Sequence, residues 1–236
     1  MLGSRFVIDT SRCIGCKACQ IACQQWHGLT AEDTAFTGSY QNPPDMSGTN
    51  LTVVKFTEKE ESGKVKWLFM KDQCRHCVGA PCRSCPLGAI KIYKSQIVLI
   101  DPAICDPTAC AAIDDPKPCQ LTCTYNIPKW KYVKNGSEVR AKMMKCDLCY
   151  NRFVHPDLPA ASKRPACMDT CPPNIMKLGA ADTMLTKAIN RAKFLRPRGY
   201  PKATVYPKQD TVNGPTRVIW VLLDEAAAYG LPGVGY

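Results

Sequence analysis

Sixteen of the 236 residues are cysteines, and they fall into four groups of four. No other feature narrows the possible folds as far, because such a density implies either disulfide cross-links or metal. The groups are Cys13, Cys16, Cys19 and Cys23; Cys74, Cys77, Cys82 and Cys85; Cys105, Cys110, Cys119 and Cys123; and Cys146, Cys149, Cys167 and Cys171. Residues 24–73 and 172–236 hold none. A disulfide scaffold is usually shorter and follows a signal peptide. Here Asp9 ends the only apolar run at the start of the chain. The apolar run near the other end, Val218 to Leu223, is six residues, against roughly 20 for a bilayer span. The expectation is a soluble chain without a membrane span, whose cysteines bind metal.

The first group reads C-x2-C-x2-C-x3-C, the spacing of a bacterial-type ferredoxin run that ligates 4Fe–4S clusters. The two-residue gaps let a tight loop wrap three thiolates around one cubane. The fourth thiolate, on the first helical turn, points away and reaches a second cluster. Such a run therefore needs a partner. The fourth group, C-x2-C-x17-C-x3-C-P, supplies one, with a long insertion before its third cysteine; insertions of this kind cost little closure entropy. Pairing the two groups gives a first set of Cys13, Cys16, Cys19 and Cys171 and a second of Cys23, Cys146, Cys149 and Cys167. The middle groups are less regular, C-x2-C-x4-C-x2-C-P and C-x4-C-x8-C-x3-C. The same exchange gives a third set of Cys85, Cys105, Cys110 and Cys119 and a fourth of Cys74, Cys77, Cys82 and Cys123. By the repeat with group one, the second ligand of group three would fall at Thr108, so Cys110 is displaced and the stretch from Ala111 to Pro118 reads as an insertion. One of these two sets is open to being absent, so the expectation is three or four clusters. With three, the fourth set is expected to be missing, as the outermost.

Zinc is the rival metal, since pairs such as Cys74/Cys77 and Cys146/Cys149 suit it. A zinc protein, however, has no need of a run that serves two centres. The formal charge of +11 would ordinarily point to nucleic acid or a membrane surface. Each cluster with four thiolates carries about −2, so four would bring the total to about +3. The excess lysine and arginine then reads as internal counter-charge, and no nucleic-acid partner is expected. His27, His76 and His155 lack metal-ligand spacing, and His76 reads as a hydrogen-bond donor to sulfur. Lys91, Lys129 and Lys177, each six residues beyond the last cysteine of a group, read as either potential-tuning or solvated. No dinucleotide, phosphate-loop or hydrolytic motif is present.

The fold class is α+β: duplicated bacterial-ferredoxin-like modules with a small β insertion and a wrapping C-terminal tail. The domain reading is 1–180 for the iron–sulfur domain, with the insertion at 24–73, and 181–236 for an extension that wraps the core or a partner. Val7-Ile8-Asp9 and Leu99-Ile100-Asp101 stand at the same distance before Cys13 and Cys105, an internal repeat of strand and ligand loop. Ala18 to Trp26 reads as a helix. Leu51 to Phe56 and Val65 to Met70 read as strands joined by a polar turn at Glu58 to Gly63. Ala89 to Tyr93 and Gln96 to Ile100 read as a hairpin closed by Lys94-Ser95. Thr30 to Asn50 reads as a long ordered loop, and Thr186 to Tyr206 as a basic surface wrap.

Four groups in this order resemble the ferredoxin-like iron–sulfur subunits of molybdenum and tungsten oxidoreductases, over about residues 5–180. The stretch Gly38-Ser39-Tyr40-Gln41-Asn42-Pro43-Pro44-Asp45-Met46-Ser47, then Leu51 to Glu58, is similar to formate dehydrogenase beta subunits. So is Cys19-Gln20-Ile21-Ala22-Cys23 with Trp26 close behind. Without a membrane helix, the chain looks most like the small subunit of the soluble two-subunit enzymes of sulfate-reducing bacteria, which implies three clusters. The resemblance implies a non-catalytic subunit that relays electrons from a large molybdopterin or tungstopterin subunit to an external acceptor, a soluble c-type cytochrome. The alternatives are the beta subunit of another molybdopterin oxidoreductase or hydrogenase and, outside the class, a zinc-binding cysteine-rich module. Export in the folded state with the partner, to the periplasm, is expected, with a cytoplasmic complex as the alternative; Asp114-Asp115 is a candidate acidic patch for the acceptor.

Overall fold

The structure is a computed structural model and describes residues 3–93, 96–111, 115–135, 138–208 and 215–233. In chain order the elements are β1 (Ser4–Asp9), α1 (Ala18–Trp26), β2 (Val53–Glu61), β3 (Lys64–Asp72), β4 (Ile90–Tyr93), β5 (Ile97–Ile100), α2 (Pro107–Cys110) and α3 (Pro118–Leu121). There follow β6 (Lys129–Asn135), β7 (Glu138–Met144), α4 (Tyr150–Val154), α5 (Ala166–Asp169), β8 (Met176–Ala180), α6 (Ala181–Leu195), β9 (Thr204–Tyr206) and β10 (Val218–Leu222). A four-stranded sheet has the order β8-β1-β10-β9, and β2–β3, β4–β5 and β6–β7 are separate hairpins.

The central sheet follows from two apolar runs. Phe6 and Ile8 of β1 and every residue of β10 are buried. An unbroken apolar strand is suited to burial on both faces, and β10 lies parallel to β1, with Phe6 opposite Val218 and Ile8 opposite Trp220. Helix α6 covers the sheet with Ala181, Met184, Ala188, Ala192 and Leu195, a stripe at three- and four-residue spacing. A second, smaller core gathers Ala80, Ala89, Ile90, Val98 and Met143 around Cys82, Cys105 and Cys119.

The stretch beyond residue 180 therefore does more than wrap: it supplies α6 and two strands of the main sheet, and a boundary at 180 runs through that sheet. Just before β10 the chain also braces a cysteine loop. Val78 N–H donates to the Pro215 carbonyl at 2.9 Å, Arg217 N–H to His76 at 3.2 Å and Val218 N–H to Arg75 at 3.0 Å. The short apolar run of β10, useless as a membrane span, is the buried centre of the fold. The expected turn at Glu58 to Gly63 is also shorter than read. The ladder runs to Glu61 opposite Lys64, leaving Ser62 and Gly63 with φ of 54° and 74°. Two consecutive residues of positive φ make the turn whose twist suits a two-residue hairpin, so charged residues extend the strands. The helix at Ala18–Trp26 and the hairpin around β4 and β5 stand as read; Lys94-Ser95 lies outside the described residues. Thr30 to Asn50 forms neither helix nor strand. It is pinned by Lys17, whose ammonium donates to the Tyr40 carbonyl at 2.6 Å and the Asn42 carbonyl at 3.2 Å.

At the end of β3 the buried Asp72 pairs with the buried Arg75 and with Lys55 at 3.0 Å. The Arg75 guanidinium also stacks over Tyr125 at 4.5 Å and Trp220 at 4.9 Å, joining hairpin, cysteine loop and central strand. Burial alone would raise the Asp72 carboxyl; Arg75 and Lys55 outweigh it and hold it below the usual carboxylate range. Asp72→Asn strands the Arg75 charge and should cost about 3–5 kcal/mol, read as a lower thermal unfolding midpoint at neutral pH. Because the folded value lies below the unfolded one, the wild-type advantage is complete above the unfolded value and lost as pH falls through the folded one. The gap between the two proteins should close below about pH 4.

Candidate metal centres

Three of the cysteine loops share one backbone device. The residue before the second cysteine of each C-x2-C pair is left-handed: Gly15 at φ 67°, His76 at 49° and Leu148 at 55°. The reversal turns both thiols to the same side. At Gly15 the constraint is double, because a Cβ there would stand 3.0 Å from Phe56 and 3.3 Å from Phe69. Backbone amides point at sulfur in the same loops, from His76 to Cys74 at 3.4 Å and from Leu148 to Cys146 at 3.5 Å. Ile127 N–H faces Cys123, and Ala166 N–H faces Cys149, both at 3.5 Å. The irregular third group uses another device. Asp106 caps α2 by accepting from Thr108 N–H at 3.0 Å, and Pro107 opens the helix, so Thr108 serves the cap and Cys110 ends the turn.

The fold brings distant cysteines together across the groups. Cys13 feels Cys16 and Cys171. Cys23, one turn along α1 from Cys19, feels Cys146, Cys149 and Cys167. Cys85, Cys105, Cys110 and Cys119 line one cavity, and Cys74, Cys77, Cys82 and Cys123 line another. The cores put the sets in order: Cys19, Cys146, Cys167, Cys74 and Cys77 share the main core, and Cys82 joins Cys105 and Cys119 in the smaller one. The row is thus first, second, fourth, third. The expectation that the fourth set is outermost is corrected: it lies between the second and third. The reason is the C-terminal segment, whose bridge from Thr216 to Cys77 holds the Cys74 loop against the central sheet.

All sixteen thiols are free of disulfides. Burial pushes Cys19, Cys82, Cys119 and Cys146 up to about 12, so at neutral pH they become thiolates only beside strong positive charge such as coordinated metal. A mononuclear zinc site needs sulfurs roughly 3.8 Å apart, from tetrahedral bonds near 2.3 Å. Among the described residues no three cysteine sulfurs lie within 4.8 Å of one another. The sets are wider than one zinc ion requires, as a four-iron cubane requires. Charge agrees with this. Among the described residues seven cations are buried (Arg5, Lys71, Arg75, Lys117, Lys145, Arg152 and Arg217) but only two carboxylates, Asp72 and Asp224. Arg75 and Arg152 have carboxylate partners in Asp72 and Asp169, whereas Lys71 has none among the described residues, and an anionic cluster would supply one. The donor set and its surroundings fit 4Fe–4S centres.

The lysines flagged by the sequence repeat lie elsewhere. Lys91 pairs with Asp101 at 3.3 Å and Lys129 with Asp45 at 3.1 Å, while Lys177 is exposed. The buried lysines stand one to three residues before a cysteine: Lys71 before Cys74, Lys117 before Cys119 and Lys145 before Cys146. That proximity was the available signal. The His76 ring accepts Val98 N–H at Nδ1, 3.0 Å away, and it is the backbone amide of His76 that reaches sulfur. His27 donates from Nδ1 to the Cys23 carbonyl and from Nε2 to Asp147 Oδ1, each at 2.9 Å, and with Asp147 and Cys149 forms a compact trio that shares Cys149 with the second set. The indole of Trp26 stacks on Arg152, while Trp67 and Trp130 make aromatic contacts.

Residues 65–181 match the family model of the 4Fe–4S dicluster domain, and residues 6–25 that of the 4Fe–4S binding domain. With the cysteine geometry, this defines a ferredoxin-like iron–sulfur electron-transfer protein. The chain is 36% identical over 230 residues to formate dehydrogenase 2 subunit beta (cytochrome c-553) of Nitratidesulfovibrio vulgaris, covering 95% of each. It is 37% identical over 231 residues to the iron–sulfur subunit of the nitrate-inducible formate dehydrogenase of Escherichia coli, covering 96% of this chain and 71% of that one. To the formate dehydrogenase beta subunit of Megalodesulfovibrio gigas it is 33% identical, over 79% of this chain and 80% of that one. The chain belongs to the iron–sulfur (beta) subunits of the formate dehydrogenases, and its work is electron transfer in that enzyme. Among the described residues no helix is long and apolar enough to cross a membrane.

The exchange between groups is open to a direct check. Cys23→Ala should remove about four iron atoms and one EPR signal from the co-purified complex. That signal should be the one lost in Cys146→Ala, and the signal lost in Cys13→Ala should survive.

Proposed function

We propose that this chain is a non-catalytic relay of four 4Fe–4S clusters, one on each cysteine set, between a large molybdopterin- or tungstopterin-containing subunit and an external acceptor. Electrons enter at the first set and pass through the second and fourth to the third. What supports this is that the four quartets sit in two cores, Cys74 and Cys77 in the main one with Cys19, Cys146 and Cys167, and Cys82 in the smaller one with Cys105 and Cys119. Loss of the fourth cluster would interrupt the row, and loss of the third would only shorten it. The entry end is argued from the surface. Cys16 is the one exposed cysteine among the sixteen. Beside it Ile14 is 60% exposed, and Tyr40, 69% exposed, stacks edge-on against Trp67. Apolar residues open to water around a cluster loop suit a face that a large subunit covers.

The acceptor in this reading is a soluble c-type cytochrome, supported by the cytochrome c-553 in the name of the Nitratidesulfovibrio relative. The complex is periplasmic, exported after its clusters are assembled. Asp114 lies outside the described residues; Asp115 is exposed. Purified complex should contain about 16 iron atoms on this chain, at four per cubane; fewer than two cubanes in fully active enzyme defeats the relay. Formate should reduce added cytochrome c. Cys119→Ala should abolish or strongly slow that reduction while the first-set signal still appears on adding formate. Formate-dependent activity found only in the cytoplasmic fraction, and indifferent to cytochrome, defeats the location and the acceptor.

A further inference from the structure

Lys71, the penultimate residue of β3, is 1% exposed. Its ammonium donates to Gln73 Oε1. The adjoining carboxylate, Asp72, is taken up by Lys55 and Arg75, and among the described residues Lys71 forms no ion pair. Gln73 is fully buried too, and its amide Nε2 has no hydrogen-bond partner. Two neighbouring buried donor groups thus have no acceptor between them beyond one amide oxygen. The backbone is fixed there, since Lys71 pairs with Val54 in the β2–β3 ladder and its carbonyl accepts the Trp220 indole N–H at 2.7 Å. A buried ammonium held so firmly without a carboxylate needs negative charge from elsewhere.

We propose that Lys71 is the shared counter-charge of the first and second clusters, a single buried cation that raises the reduction potential of both. The proposal rests on the reading that these two sets hold clusters. Each cluster gains one negative charge when it accepts an electron, and a fixed positive charge nearby in a poorly polarisable interior stabilises the reduced form. The ladder partner of Lys71, Val54, donates N–H to the side chain of Gln20, next to Cys19, at 2.7 Å, and Val54 and Met70 share one core with Cys19, Cys146 and Cys167. Burial alone would lower the affinity of Lys71 for the proton, and negative charge on Cys167, Cys19, Cys146 and Cys23 outweighs that and keeps it charged. Of the other buried lysines, Lys145 donates to the Val98 and Cys146 carbonyls and also acts on Cys82, and Lys117 acts on Cys110. One side chain therefore sets the first two steps of the relay together, making both clusters better acceptors for electrons arriving from the catalytic subunit.

The test uses the co-purified complex carrying Lys71→Met, which keeps the stem and removes the charge, with Lys71→Gln as a second neutral variant and Lys71→Arg as the charge-retaining control. Cluster potentials are read by EPR-monitored redox titration, and signals are assigned with the Cys13→Ala and Cys146→Ala variants. Neutral variants with full iron should show both the first-set and second-set midpoints moved to lower potential and the third-set midpoint unmoved. Lys71→Arg should lie close to wild type. Full iron with unmoved potentials, a shift confined to one of the two clusters, or an equal shift in Lys71→Arg overturns the proposal. Low iron in the wild-type complex would instead defeat the cluster reading beneath it, so the two failures are distinguishable.

Discussion

The interior of this protein depends on balancing buried positive charge against anionic iron–sulfur centres. Seven buried cations face two buried carboxylates among the described residues. Removing each ammonium or guanidinium from water costs several kcal/mol unless something negative lies beside it. Asp72 compensates Arg75, and Asp224 serves Lys59 and Lys66 at the surface of the β2–β3 hairpin. Lys71, before Cys74, forms no ion pair among the described residues and is left to the cysteine sets, while Lys145, before Cys146, donates to the Val98 and Cys146 carbonyls. Folding and cluster assembly are on this account a single process, since thiols that burial holds protonated and lysines that burial penalises become favourable together when metal arrives.

The same cysteines bind the two ends of the chain into one body. Cys23, in the first group, reaches the loops of Cys146 and Cys167, and Cys171, in the last, reaches Cys13. Neither module is complete alone. Strand pairing repeats the arrangement, with β1 lying between β8 and β10. Contacts between residues so far apart in sequence carry a large closure cost, which grows only slowly with further length. That tolerance accommodates the hairpin β2–β3 and the long loop before it, whose residues support the first cluster loop through Lys17, Phe56 and Phe69.

The sixteen cysteines fall in four sets, and the third set closes the row at the end away from the exposed Cys16. The second core packs around that third set, so the outer end of the relay has its own apolar support and does not borrow it from the main sheet.

The sequence by itself determined the cofactor and most of the local elements. The C-x2-C-x2-C-x3-C run dictates a cubane loop because only short, fixed gaps let thiols converge, and that rule is local. Ala18–Trp26 was legible as a helix, and β4 and β5 as a hairpin, for the same reason. The cross-group sets were an expectation drawn from the motif, whose fourth cysteine points away from the loop of the first three. Only the tertiary structure decided what depended on distant pairing. The run Val218 to Leu222 carries no sign of its neighbour, and its place beside β1 follows from burial on both faces. The order of the sets was hidden because it depends on the segment before β10 holding the Cys74 loop inward. Lys71 fell just beyond the strand as read, Val65 to Met70, and only its closeness to Cys74 marked it. It is buried because that end of β3 runs under Trp220 and between the first two cysteine sets, and no local pattern encodes that position.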